Sequence, residues 1–501
     1  MCGRERVFDV VIAMFRILSP EQAGIPSSKV LEFVKTLEQY QLNTHSILMA
    51  RGNDIFAEAY YAPFDANFKH RMYSIAKSFV AIAVGLAEPE GLLSLNDKFM
   101  KYFPEYRNEQ TDERYEETTI KDLLTMRSCM AGKNPDWWGK QDRAKTYFDM
   151  CSNKVPGTNF FYDSTGSMLL GCIIEKLTGK PFMEYLKEKI LLEIGFSKDA
   201  YCLMAPGGYS HSDSGVMCTS RDLLLFARFV MNLGTWNGKR YINEEFMRAA
   251  ISKQTDNAVS GDVTAYGNYG YGYLIWKAPR DGFALIGMAN QLAICDPKTD
   301  FICVITSENM GSEAASRMLI FHELYKTIVE NLGAPLPEKE QEYAGLKEYM
   351  ATRKMVSLTG GVESCVEEKI SGKVYKLEDN PMGIDTLKVT IQGDKGVLEY
   401  TNAEGLNIIR FGMGYNELGR FPGKKRMSNV ASVYEEGNYA CGASAVWCEE
   451  AKLHIMVRIT DTYLGTLSIV LGYKDGRVSV AMTRRAQRIL DEYDGYAVGQ
   501  E

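Results

Sequence analysis

The sequence predicts an α+β domain followed by a smaller all-β domain, and three observations carry that expectation. Strand-like runs stand near the start of the chain and again across 271–307, with helical periodicity between them. The stretch Leu332-Gly333-Ala334-Pro335-Leu336-Pro337-Glu338-Lys339-Glu340 turns Pro-rich and charged, which reads as the exit from one domain. Beyond about residue 350 the pattern is mostly β. With 501 residues and roughly 100–200 residues per domain, two to four domains are expected, placed here as 1–345 and 346–501.

Each element has a local reason. The runs 46–50 and 55–61 flank Arg51-Gly52-Asn53-Asp54, a hairpin turn. Thr119 with Asp122 three residues on reads as an N-cap opening a helix. The apolar run 167–178 is a helix closed by Gly179, and 221–233 is another closed by Gly234. The runs 271–276, 283–288, 292–295 and 301–307 are separated by the turns Pro279-Arg280-Asp281-Gly282 and Asp296-Pro297-Lys298-Thr299-Asp300. Connections that short imply an antiparallel meander, and strands at both ends with helices between predict one sheet built from both ends. In the second part 387–391, 397–400, 454–459, 466–471 and 477–482 are β-branched or alternating, and Tyr473-Lys474-Asp475-Gly476 is a hairpin signal, so a sandwich or barrel is predicted.

Composition removes several function classes. Net charge is −7, which argues against a nucleic-acid partner, and Lys424-Lys425-Arg426 after Pro422-Gly423 reads as a solvated turn. No apolar run approaches the roughly 18–20 residues of a membrane helix, so no membrane partner is expected. The N-terminal run 7–15 contains Asp9 and lacks a small-residue cleavage site, so no signal peptide is read. Eleven cysteines are scattered without a C-x-x-C pair. That fits buried thiols in a reducing cytoplasm better than a disulfide frame or a zinc cage. The five histidines, at 45, 70, 211, 322 and 454, form no H-E-x-x-H, so no metal is expected. No serine stands in G-x-S-x-G, no Walker loop is present, and Gly412-Met413-Gly414 lacks the third glycine of a dinucleotide fingerprint, so no cofactor is expected either.

The chemistry concentrates at Tyr73-Ser74-Ile75-Ala76-Lys77-Ser78, ahead of the apolar run 79–87 that Pro89 ends. A buried helix there puts Ser74 at its N-terminus and Lys77 one turn on, on the same face. The hydroxyl is a nucleophile, an amine beside an apolar helix is pushed toward its uncharged, proton-accepting form, and free N–H groups of the first turn favour an oxyanion. S-x-x-K is a nucleophile motif, though as a bare pattern it also fits a Ser N-cap followed by a surface Lys. Tyr162-Asp163-Ser164 lies on a loop after Val155-Pro156-Gly157; its Tyr can relay protons and its Ser can bond an amine, or it is simply a turn with an N-cap.

Taken together the blocks resemble the serine β-lactamase-like hydrolases, which include class C β-lactamases, D-aminopeptidases, carboxylesterases and 6-aminohexanoate-dimer hydrolases. The resemblance runs in order over about residues 18–330. It rests on His70-Arg71-Met72-Tyr73-Ser74-Ile75-Ala76-Lys77-Ser78-Phe79, then Gly91-Leu92-Leu93-Ser94-Leu95-Asn96-Asp97-Lys98, Tyr102-Phe103-Pro104-Glu105 and Thr119-Ile120-Lys121-Asp122-Leu123-Leu124. Pro156-Gly157, Tyr162-Asp163-Ser164, Ser214-Gly215, Thr219-Ser220-Arg221-Asp222 and Asn237-Gly238-Lys239 follow. It implies a β-lactamase/penicillin-binding-protein-like fold, an antiparallel sheet flanked by helices. Ser74 would be acylated, with its backbone N–H in the oxyanion hole; Lys77 would accept its proton, and Tyr162 would protonate the leaving group and activate water. The third block, Lys-Thr-Gly or His-x-Gly in the family, reads here Gly287-Met288-Ala289-Asn290-Gln291. Met288 would stand where a cation usually anchors a carboxylate, Asn290 would narrow the cleft, and Gln291 would give the second oxyanion N–H.

The expectation is a cofactor-independent serine hydrolase acting on a small ester, amide or short peptide, an esterase or amidase more than a true β-lactamase. The alternative is a relative that keeps the fold without turnover, as a binding or scaffold protein. Trp137-Trp138 is expected either to line an acyl pocket or to pack in a loop, and the run 266–273 is read mainly as strand and turn.

Overall fold

The computed structural model describes residues 15–107, 109, 111–130, 142–257, 268–423, 426–427, 434–435, 438–486 and 489–501. Its chain first lays down β1 (Arg16–Ile17), α1 (Ser27–Gln39), β2 (Thr44–Arg51) and β3 (Asp54–Tyr60). Gly52 turns the predicted hairpin with a left-handed φ of 59°. Then come α2 (Ala76–Ala87), α3 (Ser164–Thr178) and α4 (Ser220–Met231). The sheet resumes with β4 (Trp276–Lys277), β5 (Phe283–Gly287), β6 (Gln291–Asp296) and β7 (Phe301–Ser307), and α5 (Glu313–Glu323) and α6 (Glu340–Ala351) follow. Strand order is β1-β3-β2-β7-β6-β5-β4, so β2 pairs antiparallel with β7 and the two ends of the domain share one sheet, as predicted. The run 271–276 contributes less strand than expected: Tyr271 makes only isolated bridges to Thr255 and Trp276, and pairing with β5 starts at Trp276.

Helix ends follow local rules. Thr119–Asp122 and Thr219–Asp222 are both reciprocal capping boxes. α3 starts at Ser164, earlier than the apolar run suggested, because the Asp163 carboxylate caps it by accepting the Thr165 N–H. Gly179 closes it with φ 67°. All twelve residues of α2 are buried, Lys77 among them, and Phe79 stacks on Phe226 of α4 at 3.6 Å. The segment after residue 210 packs directly on α3: a Cβ on Gly171 would fall 2.1 Å from Ser212 Oγ. α6 spans the position where the domain boundary was expected, and its Leu346 and Met350 are buried in the first core.

The C-terminal part contains β8 (Val374–Leu377), β9 (Ile384–Gln392), β10 (Lys395–Asn402), β11 (Gly405–Met413), β12 (Glu417–Phe421), β13 (Tyr439–Glu449), β14 (Lys452–Thr460), β15 (Leu464–Lys474), β16 (Arg477–Ala486) and β17 (Gly495–Gln500). The order β11-β10-β9-β8-β17-β16-β15-β14-β13-β12 closes on itself, because β11 also pairs parallel with β13 at Gly412↔Ser444 and Met413↔Ala445. Of the two predicted architectures it is the barrel. The Asp475-Gly476 turn takes φ 49° and 70°, as a tight hairpin requires. The barrel core also takes in Leu203 and Met217 from the first domain.

Among the described residues no helix is long and apolar enough to cross a membrane. Of the cysteines described, Cys151, Cys365 and Cys448 are exposed rather than buried, and all ten are free thiols. Lys424 and Lys425 lie outside the described residues.

Candidate active site

The residue before the proposed nucleophile is bent. Tyr73 holds φ 47°, unusual for a bulky side chain, at the head of a 3-10 turn (Tyr73–Ile75) that runs straight into α2. Ser74 is half-buried on that turn. Lys77, 1% exposed, donates from Nζ to Ser74 Oγ at 3.0 Å and to the Asp213 carbonyl at 2.8 Å. The same Nζ lies 5.2 Å from the centroid of the Tyr162 ring. The half-buried Tyr162 is held by stacking on Trp276 at 5.3 Å, with Tyr271 edge-on at 6.3 Å. Three of the residues predicted from sequence therefore meet at one point. Ser164 is the first residue of α3, next to the buried Asp163, whose carboxyl burial pushes up to about 6 against the opposing Gly166 and Thr165 N–H groups and the nearby Lys154 and Lys77.

The third block sits where the meander predicts, at the β5–β6 turn. A Cβ on Gly287 would fall 2.2 Å from the Met72 carbonyl, so this strand end lies hard against the nucleophile segment. Met288 is half-buried there. Ala289 and Asn290 follow with φ 62° and 64°. Asn290 does not narrow the cleft. Its side chain is fully buried, donates to Ser316 Oγ at 2.6 Å and accepts from Arg317 Nε at 3.1 Å, because the left-handed bend turns it toward α5. Gln291 is equally buried, its amide donating to the Ser307 carbonyl at 2.6 Å. Any substrate contact from either residue is therefore through the backbone. Trp137 and Trp138 lie outside the described residues, as do 266 and 267 of the aromatic-glycine run.

Sequence reasoning passed over a buried polar cluster behind Lys77. His211 Nδ1 bonds Asp213 Oδ1 at 2.6 Å and its Nε2 faces Arg143 Nη1 at 2.5 Å. Arginine only donates, so Nε2 accepts and the proton on Nδ1 is given to Asp213. Burial pushes His211 down to about 4 although Asp213 pulls the other way. Burial opposes ionisation of Asp213 too, but His211, Lys77 and Arg143 outweigh it and hold the carboxyl well below the usual range. Burial also lowers Arg143, to about 10. Arg71, buried, donates from Nε to the Ser214 carbonyl at 3.0 Å and from Nη2 to Ser214 Oγ at 3.3 Å. The only sequence signal was a histidine two residues before an aspartate, which is too common to read. His70, beside the nucleophile block, is buried with its Nε2 3.2 Å from His45 Nδ1.

The family model described as Beta-lactamase matches residues 31–324, more than half of the chain and all of the residues just described up to the third block. The chain belongs to the beta-lactamase family. Within this family it is 24% identical over 284 residues to the 6-aminohexanoate-dimer hydrolase of Paenarthrobacter ureafaciens, spanning 52% of this chain and 71% of that protein. It is 27% identical over 184 residues to penicillin-binding protein 4* of Bacillus subtilis, 32% of this chain and 38% of that one. A solved structure from Bacillus anthracis, provisionally named a 6-aminohexanoate-dimer hydrolase, superposes with a TM-score of 0.53 at 19% identity, covering 65% of this chain and 89% of its own. A Bacteroides dorei structure provisionally named a beta-lactamase gives 0.51 at 18% identity, over 61% of this chain and 99% of its own. These likenesses establish the beta-lactamase/penicillin-binding-protein fold.

Proposed function

We propose that the protein is a serine hydrolase that cleaves an ester or amide through an acyl-enzyme on Ser74. The observation that carries this reading is the 3.0 Å hydrogen bond between Ser74 Oγ and a lysine amine that is almost wholly buried. Lys77 takes the hydroxyl proton as Oγ attacks the substrate carbonyl carbon, and the bond to the leaving oxygen or nitrogen breaks as Tyr162 supplies its proton. Water then attacks the acyl-enzyme, yields its proton to the same pair, and releases the acid and free Ser74. The backbone N–H groups of Ser74 and Gln291 are assigned to the developing oxyanion. Amide chemistry is supported by the names of relatives: the 6-aminohexanoate-dimer hydrolase above and, over 115 residues at 31% identity, an N-acetylmuramyl-L-alanine amidase of Bacillus subtilis. The substrate is a small ester, amide or short peptide.

The test is covalent. A fluorophosphonate probe should add one adduct, mapped by intact-mass and peptide analysis to Ser74 and absent in Ser74→Ala. No adduct on the wild-type protein would overturn the reading and favour a non-catalytic binding protein.

Substrate charge follows from the third block. Met288 offers no cation to a substrate carboxylate, so a chromogenic cephalosporin should be turned over far more slowly than p-nitrophenyl esters of neutral acids. Rapid cephalosporin hydrolysis would sink that assignment.

A further inference from the structure

The C-terminal barrel reaches the nucleophile segment through one turn. Between β14 and β15 the buried Tyr463 places its ring 5.5 Å from the guanidinium carbon of Arg71, which also lies 4.9 Å from the Tyr73 ring. Burial pushes the Tyr73 phenol up to about 12, and the backbone of the next residue, Leu464, works against that rise. Two residues further, Thr466 donates to the buried carboxylate of Glu308, just past β7.

Arg71 is the junction. One side of it packs on Tyr73, the residue whose left-handed φ of 47° precedes Ser74. Its nitrogens bind Ser214, adjacent to the Asp213 carbonyl that holds Lys77. Ser214 Oγ in turn lies 3.1 Å from His211 Nδ1, the ring that fixes the Asp213 side chain. Both halves of the Ser–Lys pair thus hang on backbone segments tied to one arginine. A cation enclosed by two aromatic faces away from water is held more firmly than one at a surface. A strained φ persists only where its surroundings over-determine it. The covering Tyr463 ring comes from the barrel.

We infer that Tyr463, with Arg71, is a positioning residue of the hydrolase site, so that the barrel sets the geometry of the Ser74–Lys77 pair. This inference rests on the reading of Ser74 as the nucleophile. It assigns the barrel a role in the chemical step, where an appended domain that only packs beside the cleft would have none.

The experiment uses the full-length chain. Fluorophosphonate labelling rates and steady-state kinetics on a p-nitrophenyl ester are measured for wild type, Tyr463→Ala, Tyr463→Phe, Arg71→Met and the Tyr463/Arg71 double variant. Tyr463→Ala should lower kcat and the labelling rate by about tenfold with KM nearly unchanged, and Tyr463→Phe, which keeps the ring face, should stay within about twofold of wild type. The double variant should be no slower than Arg71→Met alone, since both changes break one connection. The exposed barrel residue Tyr496 serves as control, and Tyr496→Ala should match wild type. A wild type that labels at Ser74 while Tyr463→Ala labels at the same rate overturns this inference alone. Additive losses overturn it as well, because they place the two residues on separate paths. A wild type that does not label overturns both readings. Should Tyr463→Ala fail to fold, Tyr463→Leu, which keeps apolar bulk without the ring face, takes its place with the same expected loss.

Discussion

A Lys77→Met variant is expected to lose about 10²–10⁴-fold in kcat on p-nitrophenyl esters, the range a positioned general base supplies. That is about 3–5 kcal/mol on the barrier. The side chain is buried and of similar length, so methionine fits the space, and the damage is chemical rather than steric. Ser74 Oγ loses its 3.0 Å amine partner, and the Asp213 carbonyl loses a 2.8 Å donor. The orphaned carbonyl costs about 1–3 kcal/mol of stability, so a thermal scan must show the variant folded before its rate is interpreted. In the wild type the rate should rise toward alkaline pH as Lys77 becomes free to accept the Ser74 proton, while Tyr162, the acid for the leaving group, must keep its own; a flat profile across about pH 5–9 would count against the role of Lys77. A Lys77→Met rate within about threefold of wild type would remove Lys77 from the mechanism.

Acid should unfold the protein well above the pH at which carboxylates alone would. Three of the five histidines are buried in the first domain. Burial is the leading cause in each: His45 is driven well below its ordinary value, His70 to about 3 and His211 to about 4. In the unfolded chain each titrates near its ordinary value, about 6.5. The folded values are depressed, so the stability these groups carry is intact above about pH 6.5 and falls away as pH drops toward 4. His70 and His211 are each worth up to about 3 kcal/mol at the bottom of that window, and His45 adds to the loss in the same direction. Asp213, held low, extends the loss to still lower pH. Asp163 acts in the other direction: its folded value is raised to about 6, so acidification through that range relieves a penalty of up to about 3 kcal/mol. Three histidines against Asp163 and Glu308, whose carboxyl burial also pushes up, leave a net loss. The melting temperature should fall steeply between about pH 6.5 and 4.5, and a melting temperature that holds or rises there would show the histidine environments to be wrong.

What the sequence disclosed was whatever neighbours in the chain decide. The 44–60 hairpin, the Thr119–Asp122 box, the Gly179 stop and the Asp475-Gly476 turn each depend on a few adjacent residues. The Ser74–Lys77 pairing was legible for the same reason, being one turn of one helix. Its companion Tyr162 became legible only through resemblance, since nothing local brings it to Lys77. The turn of Asn290 toward α5 depends on Arg317 and Ser316, more than twenty residues away. The His211–Asp213–Arg143 cluster and the barrel's approach to Arg71 are wholly tertiary. Barrel closure was equally hidden, because the parallel β11–β13 seam is only two residue pairs long and leaves no periodic signature.

The pairing of β2 with β7 fixes when the hydrolase can come into being. On the ribosome the chain leaves in order, so residues 44–51 emerge and then wait for 301–307. At about 5–20 residues per second that interval lasts on the order of ten seconds to a minute. Throughout it β2 has only β3 beside it, and the 3-10 turn bearing Ser74 has no completed sheet to rest on. The Ser74–Lys77 arrangement is therefore assembled only after most of the chain has been made.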